Sequence, residues 1–211
     1  MAFDTYAGLQ EAIGAWLCRD DLGARIPDFI RLAEARFNRV LMVPERELVA
    51  TFTAAAESHE LPVDFWGMRA IHADLSSKFP LRQMSLAELR LEYGFGRTGR
   101  PVHYAIQGGD TLVLGPQPNG EVALVLNYYA SIPALSDANP SNWLLKVNPD
   151  VYLYGALLQA EAYLINDERL AVWKMALEEA LDEIRKAGQR KQIGAAPLMP
   201  RGPAAVAGVR A

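Results

Sequence analysis

Gly94-Phe95-Gly96-Arg97-Thr98-Gly99 spells the glycine pattern that cradles dinucleotide pyrophosphates. In a working site that pattern leaves a strand and opens a helix, so that backbone N–H groups and the helix N-terminus face the phosphates. Here it leaves a short helical run and enters an extended one at Pro101-Val102, which predicts a turn and no nucleotide site. Ser58-His59-Glu60 and His72-Ala73-Asp74 hold the residue types of a hydrolytic triad. Sequence neighbours rarely face one another in a strand or turn, and no nucleophile elbow accompanies them, so they are expected to be turn and surface residues. His59, His72 and His103 lack the i, i+4 spacing of a helical metal site, and there is no Walker-type lysine loop. Glu57, Glu60 and Asp64 form the one carboxylate cluster near the β region that could supply the acid and base of a glycosidase. A single cysteine, Cys18, allows neither an internal disulfide nor a zinc cluster and is expected as a small core residue on the apolar side of a helix. No catalytic, cofactor or metal residues are assigned.

The remaining chemistry is charge. From Arg185 to the end stand six bases, Arg185, Lys186, Arg190, Lys191, Arg201 and Arg210, and no acid. Setting those six aside leaves 15 bases against 25 acids, a body of net −10. Broad gripping of nucleic acid is disfavoured by such a body, because that affinity comes from bases neutralising phosphates. From about Gln192 the frequent glycine and proline break any helix or strand, and this tail is expected to lie outside the core as an extended arm.

Several elements must position these groups. At 211 residues and 51% hydrophobic composition the chain suits one ordinary domain with extensions. Its N-terminus carries no positive region followed by an apolar stretch, and no window approaches a membrane span, so a soluble protein is expected. Thr5 caps a predicted helix over about 6–18, with Leu9, Ile13, Trp16 and Leu17 on one stripe. A second helix has Pro27 in its first turn and Ile26, Phe29, Ile30, Ala33, Phe37, Val40 and Leu41 as its apolar face; Pro44 closes it. Strand composition follows over 46–54, with Leu48 and Phe52 alternating, and again over 61–71. Ser85 caps a short helix to about Tyr93. Val102, Tyr104 and Ile106 alternate up to Gly108-Gly109, Leu112 and Leu114 alternate away from it, and Val122, Leu124, Leu126 and Tyr128 alternate after the Pro118-Asn119-Gly120 turn. Three antiparallel strands in one meander are expected. After a loop from Pro133 to Pro140, Asn148-Pro149-Asp150 caps a helix with Val151, Tyr154, Leu157, Leu158 and Leu164 on a stripe. Leu170, Trp173, Leu177, Leu181 and Ile184 mark the last helix, which runs into the basic arm. Phe65-Trp66, Tyr128-Tyr129 and Trp143 are expected in the core or at subunit contacts.

The order predicts an α+β fold in which N- and C-terminal helices form a bundle around a small antiparallel β insertion. Its expected parts are a helical pair over 1–44, a β-rich insertion with a short helix over 45–133, completing helices over 134–191 and an arm over 192–211.

Five pieces in this order resemble the head-to-tail adaptor proteins of short-tailed bacteriophages. They are the run from Leu61 to Phe65, the segment from Gly99-Arg100-Pro101 to Gly115-Pro116, the Tyr128-Tyr129 strand end, Asn142-Trp143-Leu144-Leu145, and Pro149-Asp150 through Leu157. The resemblance spans about residues 60–170; the outer thirds match in layout alone. It implies a structural virion protein at the head–tail interface, made in the host cytoplasm, that binds the portal as a ring, a dodecamer, and extends the DNA channel toward a tail nozzle or tail-hub protein. DNA would pass without specific binding, no membrane would be involved, and the C-terminal segment, here the residues past Lys191, would reach the portal; from the charge pattern, Arg185, Lys186, Arg190, Lys191, Arg201 and Arg210 are expected as its contacts. Two other classes stay open: a helical scaffold or regulator closing as a dimer through its C-terminal helices, and a carboxylate-based cell-wall hydrolase.

Overall fold

A computed structural model describes residues 3–19, 21–74, 78–164 and 167–193. The helices are α1 (Tyr6–Leu17), α2 (Ile26–Val40), α3 (Leu86–Tyr93), α4 (Trp143–Val147), α5 (Pro149–Leu164) and α6 (Asp167–Ile193). The strands are β1 (Glu47–Ala54), β2 (Ser58–Glu60), β3 (Phe65–Asp74), β4 (Lys78–Pro80), β5 (Arg82–Gln83), β6 (Thr98–Gly99), β7 (His103–Gln107), β8 (Thr111–Gly115), β9 (Gln117–Pro118) and β10 (Val122–Ala130). The fold is α+β with mainly antiparallel sheets, β5–β7 and β6–β9 being paired in parallel, and is not a barrel.

α1, α2, α4, α5 and α6 share one apolar core, which takes Leu9 and Ile13 from α1, Ile30 and Phe37 from α2, Leu145 from α4, Leu157 from α5 and Leu181 from α6. Thr5 caps α1 by accepting the Gly8 N–H, as its sequence position indicates. Leu9, Ile13 and Leu17 are buried, whereas Trp16 is half exposed and packs its ring against Tyr154 and Trp173. Cys18 is not in the core. It terminates α1 in a left-handed conformation (φ 52°), which turns its side chain to solvent. A single-stripe reading also fails for α5, which is buried on nearly every side because α1, α2, α4 and α6 all pack against it. Gly155 lets α2 approach: a Cβ there would stand 2.7 Å from Phe37 Cζ and 3.0 Å from Ala33 Cβ.

The β region is a two-layer sandwich. One sheet has the order β1-β10-β3-β4 and the other β2-β8-β7-β5. Their facing sides meet in a core that includes Ile71, Leu124 and Leu126 from the first and Tyr104, Leu112 and Leu114 from the second. α3 covers the outer face of the second sheet through Leu89, Ala105 and Val113. Its start is a capping box: the Ser85 hydroxyl accepts the Glu88 N–H while the Glu88 carboxylate accepts the Ser85 N–H.

The single meander is corrected by this topology. β7 and β8 form the expected hairpin, but β10 pairs with β1 and β3 in the other sheet. The second edge of β8 is already taken by β2, from Ser58 opposite Val113 to Glu60 opposite Thr111. Pro116 and Pro118, which lack an N–H, flank the crossing. Alternation along β10 itself holds, with Val122, Leu124, Leu126, Tyr128 and Ala130 all buried. On β1, Phe52 turns inward but Leu48 is exposed at the open end of the strand.

Candidate docking surface

The groups with hydrolytic potential are held apart or engaged elsewhere. His59 bonds the Ala56 backbone, His103 lies 2.6 Å from the Tyr93 hydroxyl, and His72 sits in β3 opposite Pro80. Among the carboxylates, Glu57 is ion-paired with Arg90, Asp64 accepts the Tyr128 hydroxyl at 3.0 Å, and Glu60 is exposed on β2. Among the described residues no three His, Cys, Asp or Glu side chains converge, and no helix is long and apolar enough to cross a membrane. The glycine run leaves α3 and enters β6, as its sequence context indicates.

The basic segment is the surface with a definite construction. The arm expected from about Gln192 is corrected at its start, where Gln192 and Ile193 are still helix. α6 continues as helix to Ile193, and Gly188 is buried. A Cβ on Gly188 would meet Pro44 Cδ at 3.1 Å and Val43 Cγ1 at 3.2 Å, so the missing side chain lets the end of α6 lie directly on the Pro44–Arg46 turn. Arg185 Nε donates to the Val40 carbonyl at 3.3 Å, Lys191 pairs with Glu45, and Gln192 donates to Glu47 at 3.0 Å. Burial pushes the Glu45 carboxyl up, but the Lys191 contact and a backbone N–H hydrogen bond together hold it below the usual range.

Lys186 and Arg190, one turn apart, are exposed. Lys186 bonds Asp182 at 2.6 Å, which raises its pKa. Of the six candidate contacts, Arg185 and Lys191 thus hold α6 to the body, Lys186 and Arg190 face solvent, and Arg201 and Arg210 lie outside the described residues, as does the expected arm beyond Ile193. Beside this helix end lies a groove of about 340 Å³ lined by Trp143, Val147, Ile184 and Ala187 and flanked by Glu45, Glu183 and Lys191. Val147 is exposed within it.

Two buried polar groups escape a sequence reading, and both fix this end of the molecule. Arg46 is 1% exposed; its Nε donates to Ala130 O at 2.7 Å and one terminal nitrogen to Leu41 O at 2.6 Å and Asn38 O at 2.9 Å. It ties the C-terminus of α2 to the end of β10. Burial lowers its pKa to about 10, so it stays charged at neutral pH. Glu34 accepts the Leu135 N–H at 2.8 Å and the Tyr152 hydroxyl at 3.1 Å, and Asn142 donates to Tyr152 at 2.6 Å and to the Pro133 carbonyl at 2.7 Å. Burial raises the Glu34 pKa against the pull of those two hydrogen bonds. The signal for Glu34 was its position on the apolar stripe of α2, four residues after Ile30 and three before Phe37.

A comparison with curated proteins finds no match. A family model described as SU10 adaptor protein matches residues 4–201, which takes in both layers, the junction at Arg46 and the basic helix end. The chain belongs to this family of phage head-to-tail adaptors, and is a structural protein of the virion head–tail region.

Proposed function

We propose that the chain binds the portal as a ring, a dodecamer, and continues the DNA channel toward a tail nozzle or tail-hub protein. The helices, as a bundle, present the end of α6 to the portal, and the residues beyond Ile193 serve as an arm that wraps it. The observation that carries this reading is the charge at that end: Lys186 and Arg190 are solvent-facing, and the rest of the chain adds Arg201 and Arg210 with no acid. A body of net −10 without the six bases repels phosphate, which suits a conduit for a sliding genome. Ordering an arm costs entropy, and the contacts it makes along a partner offset that cost.

The test is mass photometry of the purified chain with and without portal rings. Alone it gives a monomer or weak oligomer, because copies of an acidic body repel; with portal it gives a ring complex. A stable closed dimer that ignores portal contradicts the reading.

A further inference from the structure

The sandwich is open on both sides, and the two sides differ. β1 and β2 are joined by a short turn and form one side; β4 and β5 are joined by Leu81 and form the other. β1 is an edge strand of eight residues whose sole ladder partner among the described residues is β10. It holds neither lysine nor proline, the residues that usually blunt an edge, and it exposes Leu48 and, at 67%, Val49. The charged residues from 45 to 60 are Glu45, Glu47, Glu57, Glu60 and the buried Arg46, so this stretch itself offers solvent only acids, and the bases beside them, Lys191, Arg69 and Arg90, come from other elements. Glu45 and Glu47 have surface ion pairs with Lys191 and Arg69, which are weak and exchangeable, whereas the Glu57–Arg90 pair is part-buried and Glu60 is exposed. The other side is the reverse. A groove of about 260 Å³ opens there between Phe79, Pro80, Val102, Arg82 and His103. Arg100 lies over the Phe79 ring at 4.6 Å, and Arg82 and Arg100 are both exposed.

From these edges we infer that the β1–β2 side of one copy seats on the β4–β5 side of the next, with Leu48 and Val49 against the Phe79 groove and Glu47 and Glu60 facing Arg82 and Arg100. Such a contact joins unlike surfaces, so it repeats from copy to copy and closes a ring when the rotation allows. The inference rests on the ring reading and names the interface that reading requires. It also reconciles an acidic chain with self-association, since the net charge repels while the two edges attract. A phosphate ligand for the arginines is disfavoured by the apolar floor of the groove and by a net charge of −4.

Charge reversal tests it in the full chain mixed with portal rings, read by mass photometry, with circular dichroism as the check on folding. Glu47→Lys with Glu60→Lys, and separately Arg82→Glu with Arg100→Glu, each face like charge at every contact and lose ring signal about tenfold or more. An equimolar mixture of the two variants restores rings, because altered edges then meet altered edges and native edges meet native ones. All four substitutions in one chain restore rings as well. Rings formed normally by either folded variant alone, or no recovery on mixing folded variants, overturn the edge contact while leaving the ring reading intact. Failure of the unaltered chain to form any ring with portal overturns both.

Discussion

Two bases serve the Pro44–Arg46 turn, one from within it and one from α6. Arg46 lies inside it, desolvated and bonded to the carbonyls of Asn38, Leu41 and Ala130. Lys191 reaches the neighbouring Glu45 from α6 and stays largely in water. A buried charge must be matched by fixed partners, so Arg46 is a structural joint between the helical core and the sandwich. An exposed pair gains little and exchanges partners freely, so the end of α6 can hold the body in the free chain and a partner in an assembly. Position relative to solvent, and not residue type, separates the charge that builds this molecule from the charge available for docking.

Substitution at the buried side has the largest expected effect. Arg46→Ala strands three carbonyls and opens a cavity at the junction, and costs on the order of 3–5 kcal/mol. In thermal unfolding followed by circular dichroism this is a fall of roughly 10 °C. A loss as small as that of a surface substitution would refute the joint.

Glu34→Gln is expected to cost about 1–2 kcal/mol near pH 5, since the amide keeps the shape but weakens the bonds to Leu135 and Tyr152. It also changes the pH response. Because the folded pKa of Glu34 is raised, its protonation favours the native state; that contribution is full below the unfolded value and is lost as pH rises through the folded one. Denaturant titrations across this window should show a smaller decline for Glu34→Gln than for the unaltered chain.

Lys191→Gln has the smallest effect, within about 1 kcal/mol. Glu45 titrates in the opposite sense to Glu34. Its folded pKa is lowered, so its contribution is present above the unfolded value and is lost as pH falls through the folded one. The variant and the unaltered chain should therefore converge in stability in acid and differ slightly at neutral pH.

What the sequence shows of this fold tracks the distance over which each feature is decided. The Ser85–Glu88 cap, the apolar face of α2 and the β7–β8 hairpin are settled within a few residues, and all are legible. The destination of β10 is settled by which edges are already occupied, and alternation within a strand carries no information about that. Burial of Arg46 and Glu34 depends on Ala130 and Leu135, 84 and 101 residues away. Cys18 was misread because a helix stripe does not reveal that the last position turns left-handed. At the docking surface, charge composition located the segment, but it could not show that Gly188 brings α6 onto Val43 and Pro44 and so divides the bases into inward and outward sets.

The affinity of the portal for a chain truncated after Lys191, compared with the full chain, tests the central claim most directly. Truncation leaves the body folded, since the core draws on nothing beyond Ile184 apart from the Gly188 contact, which is retained. The account predicts binding weaker by about tenfold or more, and weaker still, most of all at low salt where the contact is least screened, when Arg185, Lys186, Arg190 and Lys191 are also replaced by glutamine. Equal affinity of the truncated and full chains would contradict it.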